Sequence, residues 1–401
     1  MRIFIRSFSN SFTKWAKKPV SGAELKNYLG RPSNNLSSGL VGLANVGKST
    51  FFQAITKSTL GNPANYPFAT IEPEKSLVVV PSIKLDHYQT LFGSEKKLSS
   101  NLTIWDIAGL TRNASSGAGL GNKFLADIRQ VDGIFQVVRG FRDDEIVHIE
   151  DNKVDPVRDL MIVNDELILK DLEFIEVGIE KVNKLFKRPN ANKAEIELEL
   201  KTLEKIQDLL YDGQKVINEP WSAEEIDIIN SYNLLTAKPT VYLLNVNEED
   251  YKSQSNEFLS QIQEWMEENS PQDELVIFSA QYETKLNESG NSEDSAIPRI
   301  VERMRDALHL ISFYTCGPKE ARQWTVRVGS TAPEAAGVIH TDLQKTFISA
   351  LVYKWDDLKS EKAPFNEAGL KSSGKQHRHG KKYAVEDGDV LLVKAAGGKT
   401  R

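Results

Sequence analysis

Gly42-Leu43-Ala44-Asn45-Val46-Gly47-Lys48-Ser49 is the stretch on which the reading of this chain turns. It fits G-x(4)-G-K-[ST], follows a short apolar run at Leu40–Leu43, and opens an expected helix at Ser49–Lys57. The glycines let the loop curl so that backbone N–H groups converge on phosphate oxygens, and the helix N-terminus adds positive potential. Lys48 supplies a point charge for the β- and γ-phosphates, and the Ser49 hydroxyl stands where Mg²⁺ needs a ligand. Strand, loop and helix in that order predict a P-loop nucleotide domain of the α/β class.

Outward from this loop, further strands are expected at Leu77–Val80, Leu102–Ile107, Ile134–Val138, Val241–Leu244 and Val276–Phe278. They are short and rich in β-branched or aromatic residues, with helical patterns between several of them, which predicts a mainly parallel sheet. Asp106-Ile107-Ala108-Gly109 closes the Leu102–Ile107 strand. A carboxylate there can hold Mg²⁺ directly or through water, and Gly109 leaves its N–H free to sense a γ-phosphate. Leu110 follows, where many GTPases place a glutamine that orients the attacking water. Thr70, in Asn65-Tyr66-Pro67-Phe68-Ala69-Thr70, is placed as a switch threonine that meets Mg²⁺ only with the γ-phosphate present. Gly117, Gly119 and Gly121 make residues 111–122 a candidate switch loop.

The base-reading segment departs from the Asn-Lys-x-Asp pattern of GTPases. Here the strand runs into Asn245-Val246-Asn247-Glu248. The lysine is gone, and the aspartate that accepts from guanine N1–H and N2–H₂ is a longer glutamate. Guanine selectivity should weaken, while Asn245 can still bond a purine edge. Val246 could pack on the ring, and Ser279-Ala280 fits the last loop, whose N–H groups line a base pocket. ATP and GTP both remain open on these residues.

Sheet signals pause between about 145 and 237. Ile168, Leu172, Ile175, Ile179, Val182 and Phe186 form a heptad-like seam, ended by Pro189 and Asn190. Ile196, Leu200, Leu203 and Leu210 mark a second helix, so an antiparallel helical hairpin is expected as an insertion at 145–237. The nucleotide domain then spans 38–144 and 238–311, and a small α+β unit follows at 312–396.

Residues 1–23 hold Arg2, Arg6, Lys14, Lys17 and Lys18 with several serines and no acid. That is the composition of a mitochondrial transit peptide, and it predicts location in the matrix. The whole chain has net charge −6, and without those five cations it would be −11, so any nucleic-acid contact must be local. Lys371, Lys375, Arg378, Lys381 and Lys382 form one such basic stretch. The single cysteine, Cys316, excludes an intramolecular disulfide framework. No run of about 18 apolar residues is present, so no membrane span is expected.

The ordered set Val41–Thr50, Asn65–Thr70, Asp106–Gly109, Gly119–Leu125 and Asn245–Glu248 resembles the YchF-type Obg-like ATPases. Gly317–Thr325, Ala332–Asp342 and Asp387-Gly388-Asp389 are similar to that family's TGS domain. The resemblance implies a β-grasp C-terminal domain, acceptance of ATP through the Asn-x-x-Glu motif, and association with a ribosome or its RNA, here mitochondrial. It implies that Asn45, Val46, Gly47, Lys48, Ser49 and Thr50 hold the phosphates, that Ser49 and Thr70 bind Mg²⁺, and that Asn245 and Val246 contact the base, with Ser279 beside them. Asn45 together with Leu110 further implies a K⁺ ion that stands in for an arginine finger. Lys48, Asp106 and Gly109 are the expected catalytic group. Ala44, Arg112, Asn113, Ala118 and Gln136 depart from the family pattern; Gln136 stands where many relatives have histidine. The expected activity is therefore slow ATP hydrolysis. A GTPase of mitochondrial ribosome assembly and a scarcely hydrolysing ATP-binding switch are the two rivals.

Overall fold

In the computed structural model, strand β1 (Ser37–Val41) is the centre from which the nucleotide domain is built. The described residues are 28–30, 34, 37–58, 75–107, 127–143, 153–188, 192–290 and 292–396. Beside β1 lie β2 (Lys75–Val79), β4 (Asn101–Asp106), β5 (Gly133–Arg139), β6 (Thr240–Asn245) and β7 (Glu274–Phe278), in the order β2-β4-β1-β5-β6-β7. Only β2 runs antiparallel to its neighbour. Every residue of β5 and β6 is buried, as parallel strands covered on both faces require. Helix α1 (Lys48–Lys57) packs Phe51, Phe52 and Ile55 into the main core with Val241, Leu243 and Phe278.

The stretch between β2 and β4 leaves this domain. Helix α2 (Ile83–Phe92) and strand β3 (Lys96–Leu98) join the C-terminal unit instead. That unit contains β8 (Leu310–Cys316), β9 (Glu320–Arg327), β10 (Phe347–Tyr353), β11 (His377–His379) and β12 (Val390–Ala395), in the order β11-β10-β12-β8-β9-β3. Leu85, Tyr88 and Leu91 share a core with Tyr314, Ala321, Tyr353 and Val390, and the Tyr88 hydroxyl donates to Gly388 O at 2.7 Å. The sequence reading left residues 83–98 inside the 38–144 unit; their apolar face is closed only by residues more than two hundred positions later.

The insertion is helical, as its seam requires. Helix α3 (Pro156–Phe186) starts at Asp155, whose side chain accepts from Arg158 N, with proline in the first turn. Helix α4 (Lys193–Tyr211) packs along it, and Ile168, Leu172, Ile175, Val182, Leu203, Ile206 and Leu210 form one core. Phe186, expected in the seam, is 37% exposed, so the packed stripe ends before it. A third helix, α5 (Ala223–Tyr232), also belongs to this core through Ile229 and Tyr232.

Four more helices return the chain to the nucleotide domain: α6 (Glu248–Ser253), α7 (Leu259–Asn269), α8 (Ala280–Ser289) and α9 (Ile297–Ala307). In the C-terminal unit, α10 (Ala332–Ile339) lays Ala332, Ala335 and Ala336 on Phe313, Val352 and Leu391, the helix-on-mixed-sheet arrangement of a β-grasp domain. Among the described residues no helix is long and apolar enough to cross a membrane.

Candidate nucleotide-binding site

The loop between β1 and α1 is shaped by backbone before side chains enter. Gly47 has φ +99°, and a Cβ there would lie 2.2 Å from Asn245 Nδ2. At Gly42 a Cβ would lie 2.4 Å from Val137 O. Both glycines are therefore demanded by close approach of the loop to β5 and β6. Asn45 takes φ +64°, a left-handed conformation that asparagine tolerates better than most residues. Val46 is buried and anchors the loop in the main core.

The N-terminus of α1 is left open. Among the described residues no side chain caps it, and no acid lies in its first turn. By contrast α2, α3, α5, α6 and α8 are each capped by a Ser, Asp or Asn side chain. Uncapped first-turn N–H groups are donors that an anion can take. Ser49 and Thr50 are exposed there, as a ligand-binding role needs.

Lys48 is buried, and its ammonium donates to Leu43 O at 2.6 Å and Gly42 O at 3.1 Å. Burial pulls its pKa down to about 8, with the Asp106 carboxylate opposing the shift. Asp106 ends β4 in register with Leu40 at the root of the loop. A lysine held on neutral carbonyls, next to open helix N–H groups, gains a stronger partner when phosphate arrives. Ser49 and Asp106 offer the hard oxygen donors that suit Mg²⁺. Thr70, Gly109, Leu110, the Asn65–Thr70 and Gly119–Leu125 segments, residues 111–122, the 1–23 leader and Pro189-Asn190 lie outside the described residues.

The base end is built differently. Asn245 is buried; its Nδ2 donates to Val46 O at 2.9 Å and its Oδ1 accepts from Ala280 N at 3.0 Å. The carboxamide expected on a purine edge thus ties the phosphate loop to the start of α8. Val246 is 2% exposed and packs in the core with Trp265 and Leu244, and its N–H donates to Phe278 O at 2.9 Å. That side chain is not free to lie on a base. Ser279 is buried, and its hydroxyl caps α8 by accepting from Tyr282 N at 3.3 Å. All three side chains are engaged within the protein.

Glu248 is the residue whose partners sequence reasoning missed. Its Oε1 accepts from Lys252 and its Oε2 from Lys285, each at 2.7 Å, and these partners hold its carboxyl below the usual glutamate range. Lys252, four residues on, was legible as a helical pair; Lys285, on α8, was not. Gln136 lies in β5 in register with Val41, the residue before the phosphate loop, and is sealed from solvent. Its Nε2 has no hydrogen-bond partner among the described residues.

Residues 37–169 match the MMR_HSR1 family, described as a 50S ribosome-binding GTPase. Residues 310–396 match the YchF-GTPase_C family, described as a protein of unknown function (DUF933). An Obg-like ATPase homolog of Saccharomyces cerevisiae is 52% identical over 396 residues, covering 93% of this chain and 98% of that protein. Obg-like ATPase 1 of the same yeast is 49% identical, covering 96% and 99%. The structure of the Schizosaccharomyces pombe YchF GTPase matches with a TM-score of 0.83 at 44% identity, covering 92% of this chain and 100% of that one.

Proposed function

The chain belongs to the YchF/Obg-like ATPase family, and we propose that it is a Mg²⁺-dependent ATPase that takes ATP in preference to GTP. The observation that carries the base preference is Glu248. The acid at the guanine-reading position is one methylene longer than aspartate, and both its oxygens are engaged by lysines. Adenine has no N2 amine and loses nothing where that acceptor is withdrawn.

At the phosphate end, α1 N–H groups and the loop amides from Asn45 to Thr50 bind the triphosphate, and Lys48 neutralises the β/γ oxygens. Charge-assisted contacts of this kind stabilise the charge that develops in phosphoryl transfer. Ser49, with Thr70, would hold Mg²⁺, which would supply positive charge to the phosphates. Asp106 keeps Lys48 charged and orients the water shell of the site. Asn45 would add a K⁺ contact. With Leu110 in the water-positioning place, turnover is slow.

The cellular reading rests on two further features. The basic, acid-free residues 1–23 support import into the mitochondrial matrix. The family resemblance supports a nucleotide-gated role on the mitochondrial ribosome. A fusion of residues 1–30 to a reporter tests the first; sedimentation with mitochondrial ribosomes under ATP and under ADP tests the second. ATP turnover against a Lys48→Ala control tests the activity. Turnover above the control supports the ATPase; turnover equal to it, with binding intact in the parent, leaves an ATP-binding switch.

A further inference from the structure

We propose that Lys285 and Lys252 are specificity-determining residues that set base preference by holding Glu248 away from the purine. This rests on the ATP reading above and names its cause. Lys252 lies one turn along α6 and Lys285 in the second turn of α8, so the carboxylate is drawn between two helices. The glutamate side chain is 28% exposed, and each lysine is about half exposed.

Guanine needs an acceptor for two adjacent donors, N1–H and N2–H₂. A carboxylate with one lysine on each oxygen keeps spare lone pairs, but the lysines set its orientation, and turning both oxygens toward that edge strains at least one ion pair. Glutamate has the reach to meet both lysines, whereas the start of α8 is already fixed by Asn245 and Ser279. Lys252 also lies over the Tyr282 ring at 4.8 Å, which steadies it on the α8 side of the carboxylate. The acid therefore stays in the sequence motif but is oriented by two lysines rather than by a base.

The test is competition between ATP and GTP for the full chain and for Lys252→Met with Lys285→Met. Both side chains are surface-exposed, and a thermal melt confirms that the double variant is folded. GTP affinity relative to ATP is expected to rise about tenfold, equivalent to about 1.4 kcal/mol, with ATP affinity changed less than about twofold. Lys285→Arg keeps an ion pair and should keep the parental ratio. An unchanged ratio in the double variant, with a parent that prefers ATP, overturns the lysine clamp and leaves the ATP reading intact. A parent that prefers GTP overturns both.

Discussion

Two helices begin beside each other at the nucleotide site and are finished in opposite ways. A Cβ on Gly47, at the start of α1, would lie 3.9 Å from the Ala280 side chain at the start of α8. At α1 no described side chain caps the first turn. At α8 Ser279 takes one N–H and Asn245 takes another. The phosphate end is kept open so that an anion completes it, whereas the base end is completed by the protein itself. The first arrangement needs only backbone, one lysine and two glycines, and so shows in eight consecutive residues. The second depends on where side chains from three distant segments meet.

The largest effect should come from the open end. Lys48→Ala is expected to lower ATP turnover on the order of 10²–10³-fold in a single-turnover assay. Thermal stability should change little, because relief of the buried ammonium offsets the loss of a partner at Gly42 O and Leu43 O. A matching loss of stability would mean that the lysine is structural and the contrast is false.

Asn245→Ala attacks the joint between the ends. It leaves Val46 O and Ala280 N–H without their partner, at about 1–3 kcal/mol for each buried group, measured by urea denaturation. Its effect should fall on stability and on affinity for both nucleotides, with the ATP/GTP ratio nearly unchanged. A ratio shift without destabilisation would instead make Asn245 a direct reader of the base.

The lowered pKa of Lys48 gives a smaller, titratable effect. The empty site titrates near pH 8, and bound phosphate pushes the group back toward its ordinary value. Binding at pH 8 should therefore take up about half a proton, and affinity should decline as pH rises above 8. For folding the sign is opposite. Between about pH 8 and 10.5 the unfolded chain binds more protons at this residue, so its contribution to stability grows with pH. Calorimetric titration in buffers of different ionisation enthalpy measures the uptake.

The smallest effect is expected at Gln136. Gln136→Met removes a buried amide whose Nε2 has no partner among the described residues, so stability should stay within about 1 kcal/mol of the parent or rise, and turnover should be unchanged. A large loss of turnover would place this mid-strand residue in the chemistry after all.

Much of the architecture was readable because it is local. The six strands of the first sheet, the apolar seam of α3 and the phosphate loop are each written in a short window. Helix α5 was readable too and was overlooked: Ser222 and Glu225 are the two halves of a capping box. Helix α2 and strand β3 were not readable as part of the C-terminal sheet. Three residues, Lys96–Leu98, have no strand signal of their own and gain it by pairing with Glu320–Arg322. Likewise Asn245, Val246 and Ser279 stand where the motif expects them, but their side chains are engaged by Val46, Ala280, Tyr282 and the α7 core. Motif spacing locates a residue in a loop; it does not say which partner its side chain will find first.

The proposal that matters most for function is loss of guanine selectivity at the base end of this site. Competitive binding of ATP and GTP to the chain lacking residues 1–23, with Mg²⁺ and with K⁺ or Na⁺ in turn, tests it most directly. ATP is expected to match or outcompete GTP. GTP favoured by about 100-fold, equivalent to about 2.7 kcal/mol, would contradict it and make the protein a GTPase.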